Sequence, residues 1–273
     1  MKSLFYRVLL AVPFVVLFSY SVLGSSHVAK YLFVGLFVLL LVVSSFELSY
    51  LIGTSFWVVL LGMASGVIVF LNFFPGIAKL YFHFSIPSEA LLIILLVLTV
   101  IPAFFLSSPY AVVSSFSGFA TSFFYLGIFP SFLLVMKHAS PAYLLVVAFT
   151  VWIGDSAAYF LGSKYGVRKL IPHISPNKTW VGFWANLFFS VLFFVLAFYF
   201  FVNKKVPLSQ TVLVAILISL VAQLGDIIES SFKRVAGRKD SGFLPGHGGV
   251  LDALDALFFV APVAYMVASL LGA

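Results

Sequence analysis

The 273-residue chain carries eight acidic residues: Glu47, Glu89, Asp155, Asp226, Glu229, Asp240, Asp252 and Asp255. Four of them, Asp155, Asp226, Asp252 and Asp255, fall within long apolar runs. An ionised side chain there costs roughly 3 kcal/mol or more unless it is paired or hydrated, so each is a candidate functional residue. Asp252 and Asp255 are three apart, and a helix would carry them on one face. Carboxylates with no cysteine or histidine among them suit a hard, oxygen-seeking cation such as Mg2+, with a second cation also admissible. Two basic segments accompany them: Lys164, Arg168, Lys169 and Lys178, then Lys233, Arg234, Arg238 and Lys239. A cation nest beneath a rim of lysine and arginine fits a metal-bound polyphosphate. Gly242, Gly246, Gly248 and Gly249 allow backbone N–H groups to approach a phosphate closely, and an apolar run opens just after them.

Each of these residues also has a plainer use. Asp252 suits the first turn of a helix, where a carboxylate complements the helix dipole. Asp155 would be explained by an intramembrane base, yet none lies in a nearby apolar run. His247 reads more readily as a loop donor or packing residue than as a metal ligand. The SPNK tetrad, Ser175 to Lys178, is as compatible with an ordinary turn and helix start as with phosphate binding. The run FFSVLFFVLAFYFF reads as lipid-facing bulk, and Glu47 and Glu89 as interfacial acids. No GxxxxGK[ST], HExxH or GxSxG occurs, so those NTPase, zinc-protease and serine-hydrolase signatures are absent.

The elements that must position these groups are membrane helices. The chain is 63% hydrophobic, 18% aromatic and 8% charged, with a mean hydropathy of +1.20. Apolar runs of about 20 residues fill most of it and show no barrel-like alternation. The expected fold is therefore all-α, a polytopic integral membrane protein of about nine spans with a polar cavity on the cytoplasmic side. The spans are 4–23, 31–46, 54–74, 89–106, 110–136, 141–162, 180–202, 210–228 and 249–271. The connection near Glu47 is ambiguous, which leaves eight spans open. Residues 1–24 imitate a signal peptide but read as a retained first helix, because equally apolar segments follow. The chain lacks cysteine, which removes disulfides and thiolate metal sites.

Nine spans put Lys2, Arg7, Lys164, Arg168, Lys169, Lys178, Lys233, Arg234, Arg238 and Lys239 on one side of the membrane. Lys30, Lys79, Lys137, Lys204 and Lys205 fall on the other. The positive-inside rule then places the N terminus and both basic loops in the cytoplasm, at an inner membrane, and the C terminus outside. In that arrangement the four intramembrane aspartates converge in the cytoplasmic half of the bilayer. Residues 1–140 are expected to be transmembrane helices with a lipid-facing or oligomerising role. Residues 141–273 would form the catalytic part, with cytoplasmic loops 163–179 and 229–248. Almost no soluble mass remains for a nucleic-acid partner.

Ser230 to Asp255, SSFKRVAGRKDSGFLPGHGGVLDALD, resembles the signature of the phosphatidate cytidylyltransferases, or CDP-diacylglycerol synthases. The matching residues are Ser230, Lys233, Arg234, Lys239, Asp240, His247, Gly248, Gly249, Asp252 and Asp255. Upstream, DSAAYFLG at Asp155, SPNKTWVGF at Ser175 and GDIIES at Gly225 are similar to further family motifs in family order. The resemblance covers about residues 150–260. Three positions depart from it: Ala253 stands where the family has arginine, Val181 where it has glutamate, and the spacer before His247 is one residue shorter.

The resemblance implies Mg2+-dependent transfer of CMP from CTP to phosphatidate, giving CDP-diacylglycerol and pyrophosphate in phospholipid biosynthesis. It implies Asp155, Asp226, Asp252 and Asp255 as the metal group. Lys178, Lys233, Arg234, Lys239, Asp240 and His247 become the catalytic set, and Ser175, Lys178, Gly248 and Gly249 the nucleotide-phosphate contacts. A homodimer is compatible with it. Two rivals remain at this level: a CTP-dependent transferase acting on another lipid phosphate or a polyprenol, and an ion-coupled secondary transporter.

Overall fold

The computed structural model describes residues 2–82, 108–202, 205–237 and 249–271, with the side chains of residues 2–11, 269 and 270 outside that description. In chain order the helices are α1 (Lys2–Leu23), α2 (His27–Ile52), α3 (Phe56–Phe73), α4 (Pro75–Phe82) and α5 (Pro109–Ser122). A π-helical turn at Phe123–Ile128 leads into α6 (Phe129–Ala139), followed by α7 (Pro141–Tyr165). The strands β1 (Lys169–Ile171) and β2 (Ser175–Thr179) precede α8 (Trp180–Phe201), α9 (Leu208–Val235) and α10 (Val250–Leu271). Among the described residues, seven helical stretches are long and apolar enough to cross a membrane. The protein is a polytopic membrane protein. The two further spans expected from the sequence are 4–23, which forms α1, and 89–106, which lies outside the described residues.

Sequence sets the helix boundaries. Ser26, Ser108 and Ser140 each stand just before a helix, and their hydroxyls accept N–H groups of the first turn. Pro109 and Pro141 then occupy first-turn positions, where no N–H is needed. Gly53 ends α2 at φ 72°, a left-handed conformation that suits glycine. That stop makes α2 a 26-residue helix, so the short span expected at 31–46 is too short at both ends, and Glu47 lies inside the helix. Pro130 lies inside one continuous helical stretch at 109–139. The wider π turn lies directly before this proline, a place where the α-helical hydrogen-bond ladder is already interrupted.

Two compact units divide the chain. The first holds Met1–Leu134 with Val235–Leu254. Within it α3 packs on α5 and on the π turn, and the approach is close because both sides are glycine. A Cβ on Gly66 would lie 2.1 Å from the Phe123 carbonyl oxygen, and one on Gly127 would lie 2.7 Å from the Gly66 Cα.

The second unit holds Val135–Arg234 with Asp255–Ala273. Its central pair is α7 and α8. The aromatic run of α8 is not uniform bulk, contrary to the sequence reading. Ser190, Phe194, Ala197 and Phe198 are buried at helical spacing, while Phe188, Leu192, Leu196, Phe200 and Phe201 are exposed. Tyr143 packs edge-on against Phe194 and Phe198, and its hydroxyl donates to the Ala264 carbonyl at 2.9 Å. β1 and β2 form a short antiparallel hairpin within loop 163–179, an element absent from the all-helical expectation.

Candidate active site

The second unit carries most of the predicted groups. Asp226 lies one helical turn before Glu229 on α9, and Asp255 lies near the start of α10. One carboxylate oxygen from each of Asp226, Glu229 and Asp255 falls within 4.8 Å of the others. Glu229 and Asp255 are buried, whereas the Asp226 side chain retains 37% exposure. Glu229 pairs with Lys233 one turn on, and Lys178 lies 2.8 Å from Asp226 Oδ2. Three acids and two lysines thus interleave, which keeps like charges from facing one another uncompensated.

Asp226 also faces a cavity of about 500 Å3, whose lining includes Asp155, Lys169, Asn177, Lys178, Asn186 and Gln223. The hairpin forms one wall. Lys178 sits on β2, and Thr179 then starts α8 by accepting the Gly182 N–H at 3.1 Å. At this same open end of the hairpin, Trp180 N–H donates to the Arg168 carbonyl at 3.1 Å. Arg234, at the end of α9, donates through Nε to the Ile174 carbonyl in the hairpin turn at 2.7 Å. Gly162 and Gly182 let α7 and α8 meet beneath this wall, since a Cβ on Gly162 would stand 3.2 Å from the Gly182 Cα.

The structure thus brings together Asp155, Asp226, Lys178 and, through the carboxylate cluster, Asp255, Lys233 and Glu229. Ser175 opens β2, paired with Ile171. Asp155 stands outside the three-acid cluster but shares the cavity with Asp226. Asp252 and Gly249 belong to the first unit. There the Asp252 carboxylate accepts the Gly249 N–H at 3.0 Å, a bond that closes the N terminus of α10. Lys239, Asp240, His247 and Gly248 lie outside the described residues.

Two acids were missed. Glu229 is one turn from Asp226, and that i, i+3 spacing was the available signal. Glu47 had none. Buried on α2, it accepts the N–H groups of Val250 and Leu251 at 2.9 and 2.7 Å, across more than 200 residues of chain. The first N–H groups of α10, which the sequence suggested for phosphate, are therefore engaged by Glu47 and Asp252. Glu47→Leu is expected to leave two buried N–H groups unsatisfied and to cost about 2–4 kcal/mol. Thermal unfolding in detergent checks this: the midpoint should fall by roughly 5–10 °C, with Glu47→Gln falling less.

The sequence matches the Cytidylyltransferase family over residues 5–271. The chain belongs to that family. Curated cytidylyltransferases are also similar to it over a shorter stretch. A protein named phosphatidate cytidylyltransferase from Staphylococcus aureus (strain COL) is 43% identical over 140 residues, covering 51% of this chain and 54% of that protein. Proteins of the same name from Staphylococcus saprophyticus subsp. saprophyticus and Staphylococcus haemolyticus are 41% identical over 140 residues with the same coverage. The match thus spans about half the length of these curated relatives.

As a metal group for a cytidylyltransferase, the residues fit. The cluster offers only carboxylate oxygens, no sulfur or imidazole, and its oxygens are close enough to share one ion. Asp226 connects the cluster to the cavity, so an ion held there would border the space open to substrate.

Proposed function

We propose that this chain is a CTP:phosphatidate cytidylyltransferase that forms CDP-diacylglycerol and pyrophosphate. The observation that carries this reading is the sharing of Asp226 between a three-carboxylate cluster and a lysine-walled cavity. Mg2+ held by Asp226, Glu229 and Asp255 would supply positive charge to the triphosphate. Asp155 extends the acidic surface within the cavity. On this reading a second cation is admissible among these acids.

The chain's own groups do the rest. A phosphatidate oxygen attacks the α-phosphorus of CTP, the bond to the bridging oxygen breaks, and pyrophosphate leaves with that electron pair. The attacking oxygen is already anionic, so no strong base is needed. The main obstacle is repulsion between two anions, which Lys178, Lys233 and Arg234 offset. In this reading Lys239 and Ser175 add phosphate contacts, His247 and Gly248 shape the phosphate loop, and Asp240 belongs to the catalytic set. The catalytic machinery is assigned to residues 141–273. The N terminus and both basic loops are assigned to the cytoplasmic side, in keeping with the lysine and arginine distribution.

The test is incubation of purified protein with labelled CTP, phosphatidate and Mg2+. A lipid-soluble cytidine product is expected. Removing divalent ions with EDTA should lower its formation at least about 1,000-fold, the effect of withdrawing roughly 4 kcal/mol of charge stabilisation, and added Mg2+ should restore it. Solute uptake into proteoliposomes without CTP consumption would overturn the reading in favour of a transporter.

A further inference from the structure

We propose that Asn186 is the positioning residue for Asp155. Asn186 is 2% exposed on α8, and its side-chain Nδ2 donates to Asp155 Oδ1 at 3.1 Å. Its own Oδ1 accepts the Ser219 hydroxyl at 2.9 Å and lies 3.3 Å from the Ser190 hydroxyl. Gln223 Nε2 in turn donates to Ser219 Oγ at 3.4 Å.

Direction follows from chemistry. Ser219 Oγ accepts from Gln223 and donates to the Asn186 carbonyl. The Asp155 carboxylate accepts, so the Asn186 NH2 group faces it and the Asn186 carbonyl accepts from Ser219; the Ser190 hydroxyl is shared between that carbonyl and the Thr150 carbonyl, each at 3.3 Å. The result is a one-way chain, Gln223 to Ser219 to Asn186 to Asp155, in which each donor polarises the next. It starts on α9 one turn before Asp226 and crosses α8 to reach α7.

The helices are built for this approach. A Cβ on Gly154 would lie 2.2 Å from Ser190 Oγ and 2.9 Å from Asn186 Oδ1. Asp155, Asn186, Gln223 and Asp226 all line the same cavity. With Oδ1 tied to Asn186, the Asp155 carboxylate is held in place on the cavity that Asp226 also lines. On the reading that counts Asp155 with a second cation in the metal group, a partner that orients it is typically worth about 10–100-fold in metal affinity or activity.

The inference rests on the site assigned above, so its test has a part independent of turnover. Asn186→Ala, Ser219→Ala, Asp155→Asn and the Asn186→Ala/Asp155→Asn pair are compared in the full chain in detergent. Mn2+ binding is followed by electron paramagnetic resonance, and cytidylyl transfer by steady-state kinetics. Asn186→Ala should weaken Mn2+ binding and lower kcat/KM, each by about 10–100-fold. Ser219→Ala should do the same by about 3–10-fold. On the Asp155→Asn background the Asn186 effect should vanish. Wild-type Mn2+ affinity in Asn186→Ala overturns the inference, as does a full additional loss in the double variant. If Asn186→Ala proves thermally unstable, Ser219→Ala decides alone. If the wild type makes no lipid-linked cytidine, the proposed reaction fails, while the Mn2+ series still decides the positioning role.

Discussion

Asp226→Asn is expected to lower Mg2+-dependent cytidylyl transfer at least about 1,000-fold while leaving the fold in place. Asp226 is the acid that joins the cluster with Glu229 and Asp255 to the cavity. An amide keeps its size and one acceptor oxygen but loses the charge that holds a divalent ion. If the ion contributes several kcal/mol of charge stabilisation to the leaving pyrophosphate, about 4 kcal/mol corresponds to three orders of magnitude. The side chain is partly exposed, so its neutralisation should shift thermal unfolding little. The checks are a labelled-CTP assay and an unfolding curve on the same preparation. Turnover within a few-fold of wild type would remove Asp226 from the metal group.

Lys178→Met carries the second largest expectation, a loss of about 100–1,000-fold in kcat/KM, in line with deleting one well-placed donor to a developing anion. Lys178 also pairs with Asp226, so a lesser role as counter-charge has to be separated. If pairing were its whole task, Lys178→Met would cost nothing further once Asp226 is asparagine, and Lys178→Arg would behave as wild type. If Lys178 meets a phosphate, the loss should appear in kcat as well as in KM for CTP. Lys178→Arg should then recover only part of it, because a planar fork replaces a compact charge.

The parts of this molecule legible in its sequence are those governed by local rules. The apolar runs announced the helices, and Ser–Pro pairs such as Ser140 and Pro141 fixed where they start. Acids inside those runs pointed to Asp226 and Asp255, because the cost of burying a charge does not depend on knowing its neighbours. What stayed hidden depends on chain segments distant in sequence. The task of Glu47 became visible only with Val250 and Leu251 beside it. Asn186 reads as one polar residue in an aromatic helix until two neighbouring helices, α7 and α9, supply its partners. The hairpin at 169–179 is too short and too polar for strand periodicity to register. Glu229 was available through its spacing from Asp226 but was passed over as part of a charged loop.

On the proposed function, the bond from Arg234 to the Ile174 carbonyl bears on how a nucleotide would meet the site. Strand β2 is fastened at one end to the helix carrying Asp226 and at the other to the start of α8, so the ammonium of Lys178 swings from a stationary anchor. Arrival of a triphosphate would then ask Lys178 to change partners from Asp226 while β2 stays tied at both ends. On that reading this wall of the cavity would give up little conformational freedom on binding, as a set tumbler does when its key arrives.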